Sequence, residues 1–265
     1  MYNEDERVCG ALPRSMASPL HQFEIHTVVP CNAGNLDISL TNSSLMMIFV
    51  TVMLCTLMHM TTRQKRLVPT RTQMAGELFF QFIGKLVSDQ IGPEGRGVFP
   101  YILTLFSFIL FSNVMGLIPY SFTVTSHLAV TLSLALMVFV GMTVLGIVRH
   151  RGQFFRLFLP SGVPWWIAFI LVPVEVISYC VRPFSLAVRL FANMMAGHII
   201  LKLLAGAAVF CATHTLGKLS IAPAAVFPIL FNVIMLAFEL FVAGLQAYIF
   251  TILSCIYLNS VLHLE

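Results

Sequence analysis

Long apolar tracts alternate with short polar connectors along the chain, and this pattern predicts a bundle of membrane-spanning helices. No Asp, Glu, Lys or Arg lies in residues 44–62 or in residues 98–148. Because a membrane crossing needs about 20 apolar residues, the first tract predicts one span and the second predicts two. Two further apolar stretches fill residues 163–262. We therefore expect an all-α polytopic membrane protein with about five crossings.

The two C-terminal stretches, residues 163–210 and 221–262, are predicted to form an antiparallel hairpin of long helices joined by a turn at 213–220. A helix of about 45 residues measures roughly 68 Å, twice the thickness of the hydrocarbon core. Such helices must tilt steeply, bend or break. Prolines permit bends in both stretches; they are Pro160, Pro164, Pro173, Pro183, Pro223 and Pro228.

The other segments are polar or mixed in character. Residues 1–43 are polar and interrupted by prolines, so we expect an irregular N-terminal segment there. Residues 77–91 mix apolar and polar positions at helical spacing, which predicts an amphipathic helix at the membrane interface. The sequence contains no evident internal repeat, so residues 1–265 are treated as a single membrane domain.

Composition agrees with this reading, since 58% of the residues are hydrophobic, 10% are charged and the mean hydropathy is +0.90. A soluble domain carries about 25% charged residues, which leaves a water-soluble fold only a remote alternative. The six cysteines follow no zinc-ligand or disulfide spacing, so we expect no metal and no cofactor.

The net charge of +4 is small and gives no indication of nucleic-acid binding. Basic residues concentrate in two connectors, residues 63–71 and 149–156. Cationic loops favour the inner face of a membrane, so both connectors are predicted on one side. The N-terminus and the connector at 120–127 then belong on the other side.

Polar residues recur along one face of the first long helix. At about 100° per residue they occupy an arc of roughly 80°; they are Glu175, Ser178, Arg182, Ser185, Arg189 and Asn193. Hydrogen bonds to the helix's own carbonyls can account for the two serines. Asn193 is equally compatible with such a bond and with a functional role. Ionisable groups inside spans mark ion pathways or partner contacts. The two arginines and Glu175 therefore indicate a function.

The last helix carries a matching stripe. Asn232, Glu239 and Gln246 lie seven residues apart and share a face, and Ser260 continues this stripe two heptads after Gln246. Small residues beside Gln246 allow another backbone to approach closely; they are Ala243, Gly244 and Ala247.

An antiparallel register that pairs Gln246 with Arg189 also brings His198 close to Glu239. The same register predicts a third, inner polar level, which comprises Glu175, Arg182 and Ser260. On an ideal helix His198 lies about 180° from Arg189, so two separate paths, or one path bent around the helix, fit better than a single file.

These three levels suggest proton transfer. Partly buried His and Glu titrate near physiological pH and can relay protons, whereas arginine stays protonated and cannot pass its proton on. Two titratable clusters separated by a permanent cation make two proton half-paths with a barrier between them. A mobile carboxylate that connects the half-paths is missing from the pattern, so we expect a partner to supply it.

Five sequence blocks carry a resemblance to a known family. They are "SPLHQFEI" (18–25), "TNSSL" (41–45), "FSNVMGLIPYSFTVTSH" (111–127), "RLFANMMAGH" (189–198) and "LQAYIFTILSCIYLN" (245–259). In these blocks, and in their order, the chain resembles subunit a of the F-type ATP synthase in its mitochondrial form. The arginine block combined with "LQAY" is the most specific part of the match.

The resemblance implies that Arg189 faces the carboxylates of a rotating c-ring. It implies that His198 and Glu239 line the half-channel from the intermembrane space, with Asn193 and Gln246 flanking the arginine. Glu175 would belong to the matrix half-channel. The family usually has an acid just after "YLN", and Ser260 stands there in this chain.

The resemblance also implies a place and a set of partners. It implies a multi-pass protein of the mitochondrial inner membrane, with its N-terminus in the intermembrane space and its C-terminus in the matrix. The partners would be the c-ring, the other ATP synthase subunits and the bilayer. The chain would couple proton flow to ATP synthesis without being an enzyme on its own. It has no Gly-rich phosphate loop, so we expect it to bind no nucleotide.

Two other classes remain open from the residues alone. A proton- or ion-coupled secondary transporter would have inverted repeats and a midplane substrate pocket. A structural subunit of a respiratory complex would tolerate replacement of Arg189, His198 and Glu239.

Overall fold

The structure confirms an all-α architecture. The computed structural model describes residues 26–30, 32–33, 36–37, 39–63, 70–118, 121–150, 165–215 and 222–262. In this part of the chain the helices are α1 (Asn42–Arg63), α2 (Arg71–Ile91), α3 (Phe99–Gly116), α4 (Leu128–His150), α5 (Trp165–Thr215) and α6 (Ala222–Leu262). Five of them, all except α2, are long and apolar enough to cross a membrane.

The end of the N-terminal segment differs from the expectation of irregular chain. Strand β1 (Thr27–Val29) pairs antiparallel with β4 (Leu40–Thr41), and between them β2 (Asn32–Ala33) pairs with β3 (Leu36–Asp37). The β-branched run in β1 favours extended backbone, which explains the local pairing. Residues 1–25 lie outside the described part of the chain.

Helix α1 begins where its sequence supplies a reciprocal cap. The Ser44 N–H donates to Thr41 Oγ1 at 3.3 Å, and the Thr41 N–H donates to Ser44 Oγ at 2.9 Å. The two hydroxyls thereby satisfy backbone donors that a helix start leaves unpaired. The basic connector after α1 is only partly described, because residues 64–69 lie outside the described chain.

Helix α2 is amphipathic, and its apolar face packs on protein. Its buried side chains are Ile83, Leu86, Val87 and Ile91, and the helix contacts α1, α3 and α6. The helix ends at Gly92, whose φ of 78° is a left-handed conformation that favours glycine. An interfacial position for α2 stays a prediction.

Helix α3 lies at the centre of the bundle. Ile102 and Ile109 are fully buried, and α3 contacts α1, α2 and α6. The apolar core continues from α3 and α4 to Leu190 on α5 and Phe250 on α6. This core fixes the two long helices against the rest of the protein.

The two long helices form the predicted hairpin-like pair. Helix α5 has 51 residues and continues through Pro173 and Pro183, and α6 has 41 residues and continues through Pro228. At 1.5 Å per residue they measure about 76 Å and 62 Å, more than the hydrocarbon thickness. The two helices contact each other along their length, and α4 packs on α5. The first three residues of the turn predicted at 213–220 belong to α5. The rest of that turn and most of the second basic connector fall in residues 216–221 and 151–164, outside the described chain.

The contact between α1 and α2 depends on Gly76. A Cβ added there would lie 2.7 Å from Cγ2 of Thr61, whereas a Cβ at Gly141 of α4 would meet nothing within 4 Å. We predict that Gly76→Val destabilises the purified chain in detergent by about 1–3 kcal/mol through overpacking. Gly141→Val is the control. Equal thermal midpoints for the two variants would contradict the packing described here.

Candidate proton site

A buried acid and a buried histidine meet between α5 and α6. His198 Nε2 lies 3.8 Å from Glu239 Oε1, and the two residues are 7% and 6% exposed. The predicted closeness of these two residues is therefore present. Both carboxylate oxygens of Glu239 are buried without a hydrogen-bond partner in the described chain, and so is Oδ1 of Asn232, two turns earlier on α6. Buried polar atoms normally have partners, so this side of the hairpin is a strong candidate for a proton site.

The connector between α3 and α4 completes this cluster. Its described part includes the 3₁₀ turn Val124–Ser126, and Oγ1 of Thr123 lies 3.0 Å from His198 Nε2. At the end of the turn His127 stacks on Phe122, with ring centroids 5.0 Å apart. Burial lowers the pKa of His127 below its ordinary value.

A glycine lets Glu239 approach α5. A Cβ at Gly197 would lie 2.5 Å from Glu239 Oε1 and 2.7 Å from Cδ. No side chain larger than hydrogen fits there without moving the carboxylate. Gly197 therefore sets the distance between Glu239 and its neighbour His198.

A second polar contact lies further along the hairpin. Asn193 Nδ2 donates to Gln246 Oε1 at 2.9 Å, and Gln246 is 1% exposed. On the other flank Asn113 of α3 is fully buried and its Nδ2 donates to the Ala243 carbonyl at 3.3 Å. The small residues around Gln246, which were predicted to permit close approach of another backbone, thus lie next to the side-chain amide of Asn113 on α3.

The contacts between α5 and α6 lie two to four residues away from the predicted register. Gln246 contacts Asn193 instead of Arg189 and Arg182 contacts Tyr257, each four residues away from it, whereas His198 and Glu239 lie only two residues away from it. Two amides satisfy each other as neutral donor and acceptor, whereas enclosing the arginine would bury a charge. This difference explains why the amide, and not the guanidinium, occupies the interface.

Arg189 is exposed on the outer surface of α5. It makes no hydrogen bond or ion pair with any residue of the described chain. The buried side chains of α5 and α6 around its level are mostly apolar and include Leu186, Leu190, Ala247 and Phe250. The buried hydroxyls of Thr251 and Ser254 donate to carbonyls of their own helix. This mostly apolar stretch forms a dry layer between the polar groups on either side of the arginine.

A third polar group lies beyond this layer. Arg182 Nη2 lies 3.6 Å from Glu175 Oε1, and its guanidinium carbon is 5.1 Å from the ring centre of Tyr257 and 5.9 Å from that of Tyr179. These distances are within the range of cation–π contacts. The Tyr179 hydroxyl also lies 2.9 Å from Thr143 Oγ1 of α4.

Ser260 does not join this inner group as the predicted register required. Its side chain is exposed, and its hydroxyl donates to the Ile256 carbonyl of its own helix at 3.0 Å. The shift of one turn carries Ser260 past the level at which it would meet Glu175. The terminal residues 263–265 lie outside the described chain.

Sequence reasoning missed the residues that come from outside the two stripes. Thr123, Thr143 and Asn113 each lie on an element other than α5 and α6, so helical spacing could not relate them to the site. Helical spacing could have related Tyr179 to the site, because it lies three residues, about one helical turn, before Arg182.

The fold and site together define a class: a multi-pass membrane protein whose longest helices enclose titratable groups at two levels. Comparison with known proteins then gives the family. The ATP synthase A chain family matches residues 44–259. "ATP synthase subunit a" of Paramagnetospirillum magneticum is 47% identical over 94% of this chain and 100% of its own length. The protein of the same name from Parvibaculum lavamentivorans is 45% identical over 97% of both chains. The chain belongs to the ATP synthase A chain family.

Family membership decides between the classes left open by the residues. It supports the role of the proton-translocating subunit a in an ATP synthase membrane sector, and not that of a secondary transporter or of an accessory subunit without a proton path. The chain therefore works in a membrane together with other ATP synthase subunits. The relatives compared are bacterial proteins.

The close approach at Gly197 gives a prediction. Gly197→Ala should displace the Glu239 carboxylate and lower ATP-driven proton uptake by roughly 10- to 100-fold, since misplacement of about 1 Å can have such an effect. Gly206→Ala is a matched control on the same helix, because a Cβ there meets nothing within 4 Å. Proton uptake by vesicles carrying the complete complex is the measurement. Equal uptake by both variants would contradict a role for the Glu239 position.

Proposed function

We propose that this chain forms two offset proton half-paths that meet a ring of carboxylate-bearing subunits at Arg189. The observation that carries the proposal is the arrangement along α5 and α6. Two clusters of ionisable side chains lie on either side of a dry layer, and an exposed arginine without a partner in the described chain lies at the level of that layer.

The outer half-path ends at His198 and Glu239. Both groups are buried and both exchange protons, and the carboxylate oxygens have no competing hydrogen-bond partner in the described chain. Asn232 extends the polar stripe of α6 towards the outer end, and Asn193 with Gln246 extends it towards the arginine. A proton that reaches Glu239 is thus within one or two helical turns of the ring-facing surface.

The barrier has two components. The Leu190 and Phe250 side chains are fully buried, and the hydroxyls of Thr251 and Ser254, buried on the same stretch of α6, donate to carbonyls of their own helix instead of linking the two clusters. In front of this stretch, the permanent charge of Arg189 repels a proton that tries to pass along the surface. A proton must therefore leave the chain on a carboxylate of the partner ring and return on the other side.

The inner half-path begins at Glu175 and Arg182. Both side chains are about one third exposed, so this inner group is accessible, whereas His198 and Glu239 are enclosed. Arg182 is held between two tyrosine rings and in turn holds the Glu175 carboxylate. Because Ser260 bonds to its own helix, Glu175 is the acid that the inner path uses.

This path determines the free energy that drives rotation and the role that this chain has within the complex. One unit charge that crosses 100 mV releases about 2.3 kcal/mol, and several crossings per turn drive rotation of the ring. This chain supplies the path and the barrier, and it neither binds nucleotide nor catalyses ATP synthesis itself.

The mitochondrial inner membrane, which the sequence resemblance implies, stays part of the proposal because the relatives compared are bacterial. The proposed orientation puts the N-terminus on the side from which protons enter. In support of it, the Thr123 connector, predicted on that side, contacts His198.

The barrier predicts the effect of removing the arginine. Arg189→Ala should lower ATP-driven proton pumping by roughly 100-fold or more, since the charge acts directly on the ring carboxylates. The substitution should leave assembly intact because Arg189 is exposed and makes no hydrogen bond or ion pair within the described chain. Pumping is measured in vesicles and assembly by copurification of the other subunits. Ser185→Ala, an exposed position one turn earlier, is the control, and coupled pumping by Arg189→Ala at the native rate would refute the barrier.

A further inference from the structure

The described part of the connector between α3 and α4 buries three hydroxyl side chains, although the connector links two membrane spans. Thr123, Thr125 and Ser126 are 1%, 2% and 3% exposed. Buried hydroxyls are costly unless they are hydrogen-bonded. The burial of these side chains indicates that the connector is packed against the helices and is more than a link between two spans.

Thr123 is held from both sides. Its carbonyl accepts hydrogen bonds from the Ser126 hydroxyl at 2.6 Å and from the Ser126 N–H at 3.3 Å. Its methyl group packs against Gly116, where an added Cβ would lie 2.7 Å from Cγ2 of Thr123. These contacts fix the direction of the Thr123 side chain before it meets α5.

The Thr123 hydroxyl has two neighbours that can accept its single proton. Oγ1 lies 3.0 Å from His198 Nε2 and 3.4 Å from the Gly116 carbonyl oxygen. When Nε2 carries no proton, the hydroxyl donates to it. When Nε2 is protonated, Nε2 donates to Oγ1 and the hydroxyl proton turns towards Gly116. A hydroxyl can thus serve this imidazole in both protonation states.

The same nitrogen is the one that faces the acid. His198 Nε2 lies 3.8 Å from Glu239 Oε1, so one atom lies between a hydroxyl and a carboxylate. The charged groups near His198 in the described chain are Glu239 on α6 and Lys202 one turn along α5, and the connector adds the titratable His127. A shift of the imidazole away from Thr123 would change its distance to Glu239.

We propose that Thr123 is a positioning residue for His198: its hydroxyl keeps Nε2 hydrogen-bonded and within reach of Glu239 whether or not that nitrogen carries a proton. The proposal rests on the proposed outer half-path, in which a proton on Nε2 passes to Glu239. The Thr123 proton stays on Thr123 throughout and only changes its direction. Thr123 thereby lets His198 gain and lose a proton without moving.

The test uses the complete complex in vesicles. Thr123→Val removes the hydroxyl and keeps the contact with Gly116, and it should lower proton flux by about 3- to 10-fold, the value of one hydrogen bond. Because a hydrogen bond to the charged imidazolium is worth more than one to the neutral ring, its loss should also move the outer-side pH of half-maximal flux down by about half a unit. Thr123→Ser should restore both properties. Thr125→Val is the matched control, because Thr125 is equally buried but its hydroxyl has no hydrogen-bond partner in the described chain.

His198→Ala, measured in parallel, separates failure of this inference from failure of the proposed function. Native flux in His198→Ala would overturn the outer half-path itself. Reduced flux in His198→Ala with native flux in Thr123→Val would overturn only the role of Thr123. Equal losses in Thr123→Val and Thr123→Ser with an unshifted pH profile would also overturn it, because that result needs only a structural side chain. If Thr123→Val does not assemble, Thr123→Ala compared with Thr123→Ser gives the same outcomes.

Discussion

The architecture depends on the cost of polar groups in an apolar medium. Helices α5 and α6 are too long to cross a bilayer upright, and both carry ionisable residues within their apolar tracts. Such groups are tolerated where they pair with one another or face the protein interior. The contacts of Asn193 with Gln246 and of His198 with Glu239 therefore align the two helices in one register, and the other helices pack around that pair.

The same constraint explains why Arg189 is exposed. Burying a guanidinium without a counter-ion would cost several kcal/mol, and the buried side chains behind it are mostly apolar. The arginine therefore turns outwards, where the proposed partner ring would supply a carboxylate. In this account the partner completes the site, because the charge that the chain cannot satisfy internally is the one that acts on the ring.

Much of the fold could be predicted from the sequence, since charge-free tracts define spans and helical spacing relates polar residues on one helix. The closeness of His198 and Glu239 followed from one assumed register. The observed contacts lie two to four residues from that register, because spacing cannot weigh an amide pair such as Asn193 with Gln246 against an exposed Arg189. The contributions of Thr123 and Thr143 could not be predicted, since they come from elements whose packing on α5 is a tertiary property.

The central claim is that the two polar clusters open to opposite sides of the membrane. The most direct measurement replaces the six native cysteines with alanine and places single cysteines at Glu239 and at Glu175. Sealed vesicles carrying the complete complex are then exposed to silver ion from one side at a time. The account predicts that the cysteine at position 239 is modified from one side only and the cysteine at position 175 only from the other. Modification of both from the same side would contradict two separated half-paths.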